Sequence, residues 1–152
     1  MNLALPWRRQ RGVAAVEFAV LLPCLALVLA SLILCARLMW HYTVAHKAAQ
    51  DAARYMATVP AVEMRSPALA VEAKAVAVEI AKREMVDLAL GRNAATTDVQ
   101  CDSYNCGFLI GEVPSTVKVA LALRIRDPIF NLYLGPYGLP IVVNVVEPYV
   151  GK

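Results

Sequence analysis

The sequence predicts an α+β protein: a long N-terminal membrane-spanning helix, a second helix, and a small antiparallel C-terminal sheet. Three observations predict it. Residues 13–36 form an almost uninterrupted apolar run, apolar residues keep helical spacing beyond it and again from Pro67, and after residue 95 β-branched segments alternate with Gly and Pro. A chain of 152 residues holds one domain, or one small domain plus an accessory segment, which excludes a large multidomain enzyme.

The apolar run comes first. VAAVEFAVLLPCLALVLASLILCA contains one charge (Glu17), one proline (Pro23) and one serine (Ser31). At about 1.5 Å of rise per residue it reaches about 36 Å, enough to cross a hydrocarbon core of about 30 Å with some tilt. It accounts for much of the 59% hydrophobic content and the mean hydropathy of +0.54. A secretory signal peptide would have a shorter core and a small-x-small cleavage site, and Leu34-Cys35-Ala36-Arg37 is a poor one. Lipid partners are therefore expected. Pro23 removes one backbone hydrogen bond and marks a candidate kink.

Charge gives the run a direction. Arg8, Arg9 and Arg11 are the only charged side chains before Glu17, and from residue 13 onward twelve Lys+Arg balance twelve Asp+Glu. The net charge of +3 thus sits in a leader of residues 1–12, which the positive-inside tendency assigns to the cytoplasm, with residues 37–152 on the other side. Trp40 and Tyr42 suit the headgroup layer that follows. No basic patch or stripe appears in the body of the chain, so no nucleic-acid partner is expected.

The helix continues past the run. Leu38, Tyr42, Ala45, Ala49, Ala52 and Met56 recur at spacings of four and three, a stripe whose small residues permit close packing. Residues 37–58 read as an extramembrane continuation ended by Pro60; if continuous over 13–57, the helix is about 68 Å long. A second helix is expected over Pro67–Leu90, with Ser66 as cap, Pro67 in the first turn and Gly91 at the end. Glu79 and Arg83 have the favourable i,i+4 spacing. Its larger apolar residues divide between a Leu69, Val76, Ile80 face and a Val71, Val78, Met85 face, which predicts a helix sandwiched on both sides. Strands are expected at 108–113 (FLIGEV), 116–125 (TVKVALALRI) and 141–150 (IVVNVVEPYV), with turns at Gly111, Asp127-Pro128, Gly135-Pro136 and Gly138–Pro140. Residues 59–152 form the extramembrane α+β domain.

Candidate chemistry is sparse. Cys101 and Cys106, in CDSYNC, lie on the outer side where oxidation is permitted, and four intervening residues in a polar turn suit a local disulfide. A zinc site would need two further ligands at suitable spacing. Cys24 and Cys35 read as apolar thiols in the membrane, eleven residues apart and too distant to bridge each other. His41 and His46 do not share a helix face. No catalytic residues, metal ligands or cofactor motifs stand out, so no enzyme activity and no cofactor are expected.

Glu17 is the most informative residue, because an ionisable group inside a membrane segment costs a few kcal/mol and marks a function. The context RRQRGVAAVEFAVLLP (8–23), with a glycine ending a basic leader and a glutamate at the fifth apolar position, resembles the processing site of type IV prepilins. Together with HYTVAHKAAQDAARYMA (41–57), ending in Ala-Ala-Arg-Tyr and Met-Ala, it resembles TadE-like pseudopilins of the tight-adherence (Tad) pilus. The resemblance implies a pilin-like fold, a scissile bond between Gly12 and Val13, and a role in assembly for Glu17. It implies as partners a prepilin peptidase, other pilins and the assembly machinery, and as location the bacterial inner membrane with a periplasmic C-terminal domain, or a place in an extracellular pilus. Phe18, where the short major pilins have tyrosine, and the chain length favour the minor-pilin branch. An unprocessed single-pass protein with a periplasmic binding domain is the alternative; a type II secretion pseudopilin shares the leader but not the Ala-Ala-Arg-Tyr segment.

Overall fold

The computed structural model describes residues 11–88, 95–108, 111–125 and 138–151, with the side chains of 11–13 left aside. Helix α1 spans Arg11–Thr58 and helix α2 Ala61–Met64. Helix α3 spans Pro67–Glu84 and is followed by a 3₁₀ turn at Val86–Leu88. The strands are β1 (Ala95–Cys101), β2 (Tyr104–Asn105), β3 (Thr116–Ile125) and β4 (Leu139–Pro148). This is the expected α+β class. The chain divides into two compact units, Met1–Arg37 and Leu38–Lys152.

In the first unit the described side chains from Ala14 onward lie almost wholly exposed on the helix surface, Phe18, Leu25 and Leu32 among them. A face this apolar in all directions is stable only in lipid or against other apolar helices. Among the described residues α1 is the one helix long and apolar enough to cross a membrane. Helical structure runs through Pro23. Ser31 returns its hydroxyl to the Val28 carbonyl at 2.8 Å, so the run's one hydroxyl is satisfied within the helix.

In the second unit all four strands are antiparallel, in the order β2-β1-β3-β4. Alternation along β3 aims Val117, Val119, Leu121, Leu123 and Ile125 into the core, joined by Val99 and Cys101 of β1 and Val143 and Val145 of β4. The helices supply small residues: Ala45, Ala48, Ala49, Ala52, Ala53 and Met56 from α1, and Ala70, Ala73, Ala77 and Ala81 from α3. Alanine interfaces let helix backbones approach closely. Lys47 of α1 reaches Glu84 of α3 at 2.6 Å.

Four expectations are corrected. The second helix stops at Glu84, not Leu90, because Met85 leaves helical geometry (φ −94°, ψ 0°). Ser66 occupies its N-cap position without a side-chain hydrogen bond. Its buried face is the alanine stripe, while Leu69, Val71 and Val76 are exposed, so the helix is not sandwiched between two apolar faces. Finally, the described part of 108–113 is not a strand: Phe108 is exposed and Gly111 takes φ +78°. The proposed turns at Asp127-Pro128 and Gly135-Pro136 lie outside the described residues.

Candidate functional site

Among the described residues there is no group of three or more His, Cys, Asp or Glu able to hold a metal. The candidate site is instead a linear element, the start of α1, together with a stapled loop on the second unit.

Gly12 and Val13 lie in the first turn of α1, whose helical backbone begins at Arg11. Arg8 and Arg9 lie outside the described residues. Glu17 is exposed on the helix and borders an open apolar depression with Val16, Val20 and Leu21. The positions three and four residues away, Val13, Ala14, Val20 and Leu21, carry no charge. An intrahelical ion pair forms at just those spacings, so the helix itself offers the carboxylate none. Cys24 and Cys35 are free thiols exposed on the same helix.

At the other end of the apolar stretch Met39, Trp40 and Tyr42 are exposed while His41 is buried. Tyr42 was expected in the packed stripe with Leu38. Leu38 does pack against the core and Ala45, Ala49, Ala52 and Met56 are buried, whereas Tyr42 is exposed and sets its ring near His46, centroids 6.1 Å apart.

Cys101 and Cys106 form the expected disulfide, Cα atoms 4.9 Å apart and both sulfurs buried. The loop between them is held twice more. Asp102, at φ 55°, accepts hydrogen bonds at Oδ1 from the Ser115 amide (3.0 Å) and hydroxyl (2.7 Å) and from the Thr116 amide (2.9 Å) and hydroxyl (3.1 Å). Its own amide donates to the Thr116 carbonyl at 2.8 Å. Partial burial pushes the Asp102 carboxyl up, but the bonds from Ser115 and Thr116 outweigh it and leave the group below its ordinary range. Gly107, at φ +93°, lies against α3: a Cβ there would sit 2.7 Å from Val71 Cγ2 and 2.9 Å from the Pro67 carbonyl oxygen. On this frame Tyr104 and Phe108 stack at 5.6 Å with both rings exposed. The sequence pointed to the disulfide but not to the Asp102 bonds, since a lone aspartate in a turn carries no sign of partners thirteen residues away.

No curated protein and no solved structure matches the chain at a significant level. Over residues 12–54, from the glycine of the leader through the alanine-rich stretch to Arg54, the chain matches the family model described as TadE-like protein, and in that segment the resemblance read from the sequence is found.

Proposed function

We propose that the chain is a minor pilin, or pseudopilin, that takes part in assembling a Tad (type IVc, Flp-type) pilus for adhesion or biofilm formation, after a prepilin peptidase cuts between Gly12 and Val13. The observation that carries this reading is Glu17: one carboxylate in a 24-residue apolar run, five residues after Gly12, inside the segment that matches the TadE-like model. The leader with Arg8, Arg9 and Arg11 is held in the cytoplasm, and the α+β domain lies in the periplasm.

The chemistry of the pair supports the reading. Cleavage creates an α-amino group on Val13, protonated at neutral pH given a reference pKa of about 8. In a stack of subunits Glu17 of one chain meets such an amine on its neighbour, and a charge that is costly in lipid becomes paired. Because attraction grows as the local dielectric falls, the pair sets axial register between helices that would otherwise slide on apolar faces. Loss of the three arginines removes the basic anchor, so the mature helix can leave the bilayer. Pro23 gives that helix a place to bend or unwind locally. The domain's role is structural, and its partners are the peptidase, neighbouring pilins and lipid.

Mass spectrometry of the protein from cells that express the pilus machinery tests this. The expected mature chain begins at Val13, and Gly12→Leu leaves the longer precursor. Glu17→Ala keeps cleavage but lowers incorporation. A wild-type chain still beginning at Met1 in those cells overturns the processing step and favours an unprocessed single-pass protein.

A further inference from the structure

Among the described residues strand β4 is an edge of the sheet, and its sequence is close to a palindrome. Outward from Asn144 stand Val143 and Val145, Val142 and Val146, Ile141 and Glu147, then Pro140 and Pro148. The ladder to β3 fixes which backbone groups remain open. The Tyr149 amide donates to the Ser115 carbonyl at 2.9 Å, one step beyond the Thr116↔Pro148 pair. Antiparallel ladders alternate, so the odd-numbered residues of β4 turn their N–H and C=O toward β3 and the even-numbered ones toward the open edge. Val142, Asn144 and Val146 therefore present three N–H and three C=O groups outward. Pro140 and Pro148, which have no N–H, hold the next edge-facing positions on either side. Prolines at such positions end pairing while leaving the parent sheet intact.

We propose that β4 pairs antiparallel with β4 of a second copy of this chain across a two-fold axis through Asn144. Val142 then faces Val146 of the partner copy, and each pair, Asn144 with Asn144 included, exchanges two backbone hydrogen bonds. The prolines close the register at both ends. A two-fold perpendicular to the sheet keeps inner faces together, so Val143 extends the buried layer toward Val145 of the partner copy. Val142 and Val146, 60% and 58% exposed in one copy, cover each other on the outer face. Facing Asn144 amides are self-complementary, each donating N–H to the other's oxygen, whereas a shift of two residues would set each amide against a valine. No like charges oppose, because Glu147 faces Ile141. The contact is isologous and closed, unlike the head-to-tail stacking proposed for α1, and either can fail without the other.

The test is cross-linking of the full chain in detergent micelles, in a Cys24→Ser, Cys35→Ser background that leaves the Cys101–Cys106 bond in place. Asn144→Cys sets two thiols on the axis, within the Cα separation of under about 7 Å that a disulfide requires. Val142→Cys alone sets them about four strand positions apart, roughly 13 Å. With copper phenanthroline, Asn144→Cys is expected to become mostly covalent dimer on non-reducing gels. Val142→Cys yields no more than a tenth of that, and Val142→Cys with Val146→Cys restores it. These side chains are exposed, and an unchanged thermal midpoint verifies each fold. Asn144→Cys that stays monomeric, or Val142→Cys that dimerises as fully, overturns the proposal.

Discussion

Reducing the Cys101–Cys106 bond should destabilise the second unit by an amount the loop length sets. The two cysteines are five positions apart, so the bond closes a loop of about six residues. In the chain-entropy description such a loop is worth about 2 kcal/mol at 25 °C, most of it through the unfolded chain. The Asp102 bonds do not lessen this, because they are absent once the chain is unfolded. Reduction by a phosphine leaves both sulfurs in their buried places, so packing is nearly unchanged and the cross-link alone is lost. For a domain of about 115 residues, 2 kcal/mol corresponds to a fall of about 8 °C in Tm. The measurement is a near-ultraviolet dichroism melt of the full chain in detergent, with and without reductant, and thiol counting by mass spectrometry in parallel. A midpoint that moves by less than about 2 °C with both thiols demonstrably free would refute the account and show that the loop keeps its order in the unfolded ensemble.

Three further perturbations bear on the same domain. Gly107→Ala puts a β-carbon into a left-handed conformation and against the Pro67 carbonyl, and should cost about 2 kcal/mol by denaturant titration; an unchanged midpoint would mean the loop does not rest on α3. Asp102 titrates below its unfolded value near 3.8, so its stabilisation is complete above that value and lost as pH falls through the folded pKa; Asp102→Asn should flatten the acid limb of a stability–pH curve below about pH 4 and lower stability at neutral pH. Ala52→Leu inserts a large side chain into a fully buried alanine position and should destabilise by about 1 to 3 kcal/mol in the same titration.

Where one local signal dominates, sequence and structure agree closely. β3 occupies the expected Thr116–Ile125 because its alternation is strict and one face is buried. α1 ends at Thr58, two residues before Pro60, whose ring resists the helix. The disagreements have a common origin in tertiary packing. β1 was not anticipated because ATTDVQC is polar; it is a strand through its pairing with β3, and it buries just Val99 and Cys101. FLIGEV has strand composition, yet the described part of it lies beyond the disulfide loop, where Gly107 and Gly111 take positive φ. On α3 the buried face is the alanine stripe with Val78 and Met85 beside it, while Leu69, Val71 and Val76 are exposed, because close approach in this core selects alanine. At the N-terminus Glu17 stood out through chemistry alone, since a charge in an apolar run needs a reason. The role of Gly12 is legible through resemblance, as no geometry of a helix start announces a scissile bond.

The end of α1 is fastened from far along the chain. The Val150 amide donates to the Ala57 carbonyl at 3.0 Å, and the Tyr149 hydroxyl donates to the carbonyl of Val59, ninety positions away in sequence. These bonds fill acceptors at a helix terminus, beside the Thr58 hydroxyl that donates to the Arg54 and Tyr55 carbonyls. They also set how the domain bears a mechanical load. Tension along α1 is carried by the packing of its alanine face and by the covalent link to α2, and also by this clasp into the chain that leaves β4. That chain is continuous with β4, which is held to β3 by ten residues of pairing, so the end of the helix and the ladder of the sheet are joined through bonds far apart in sequence.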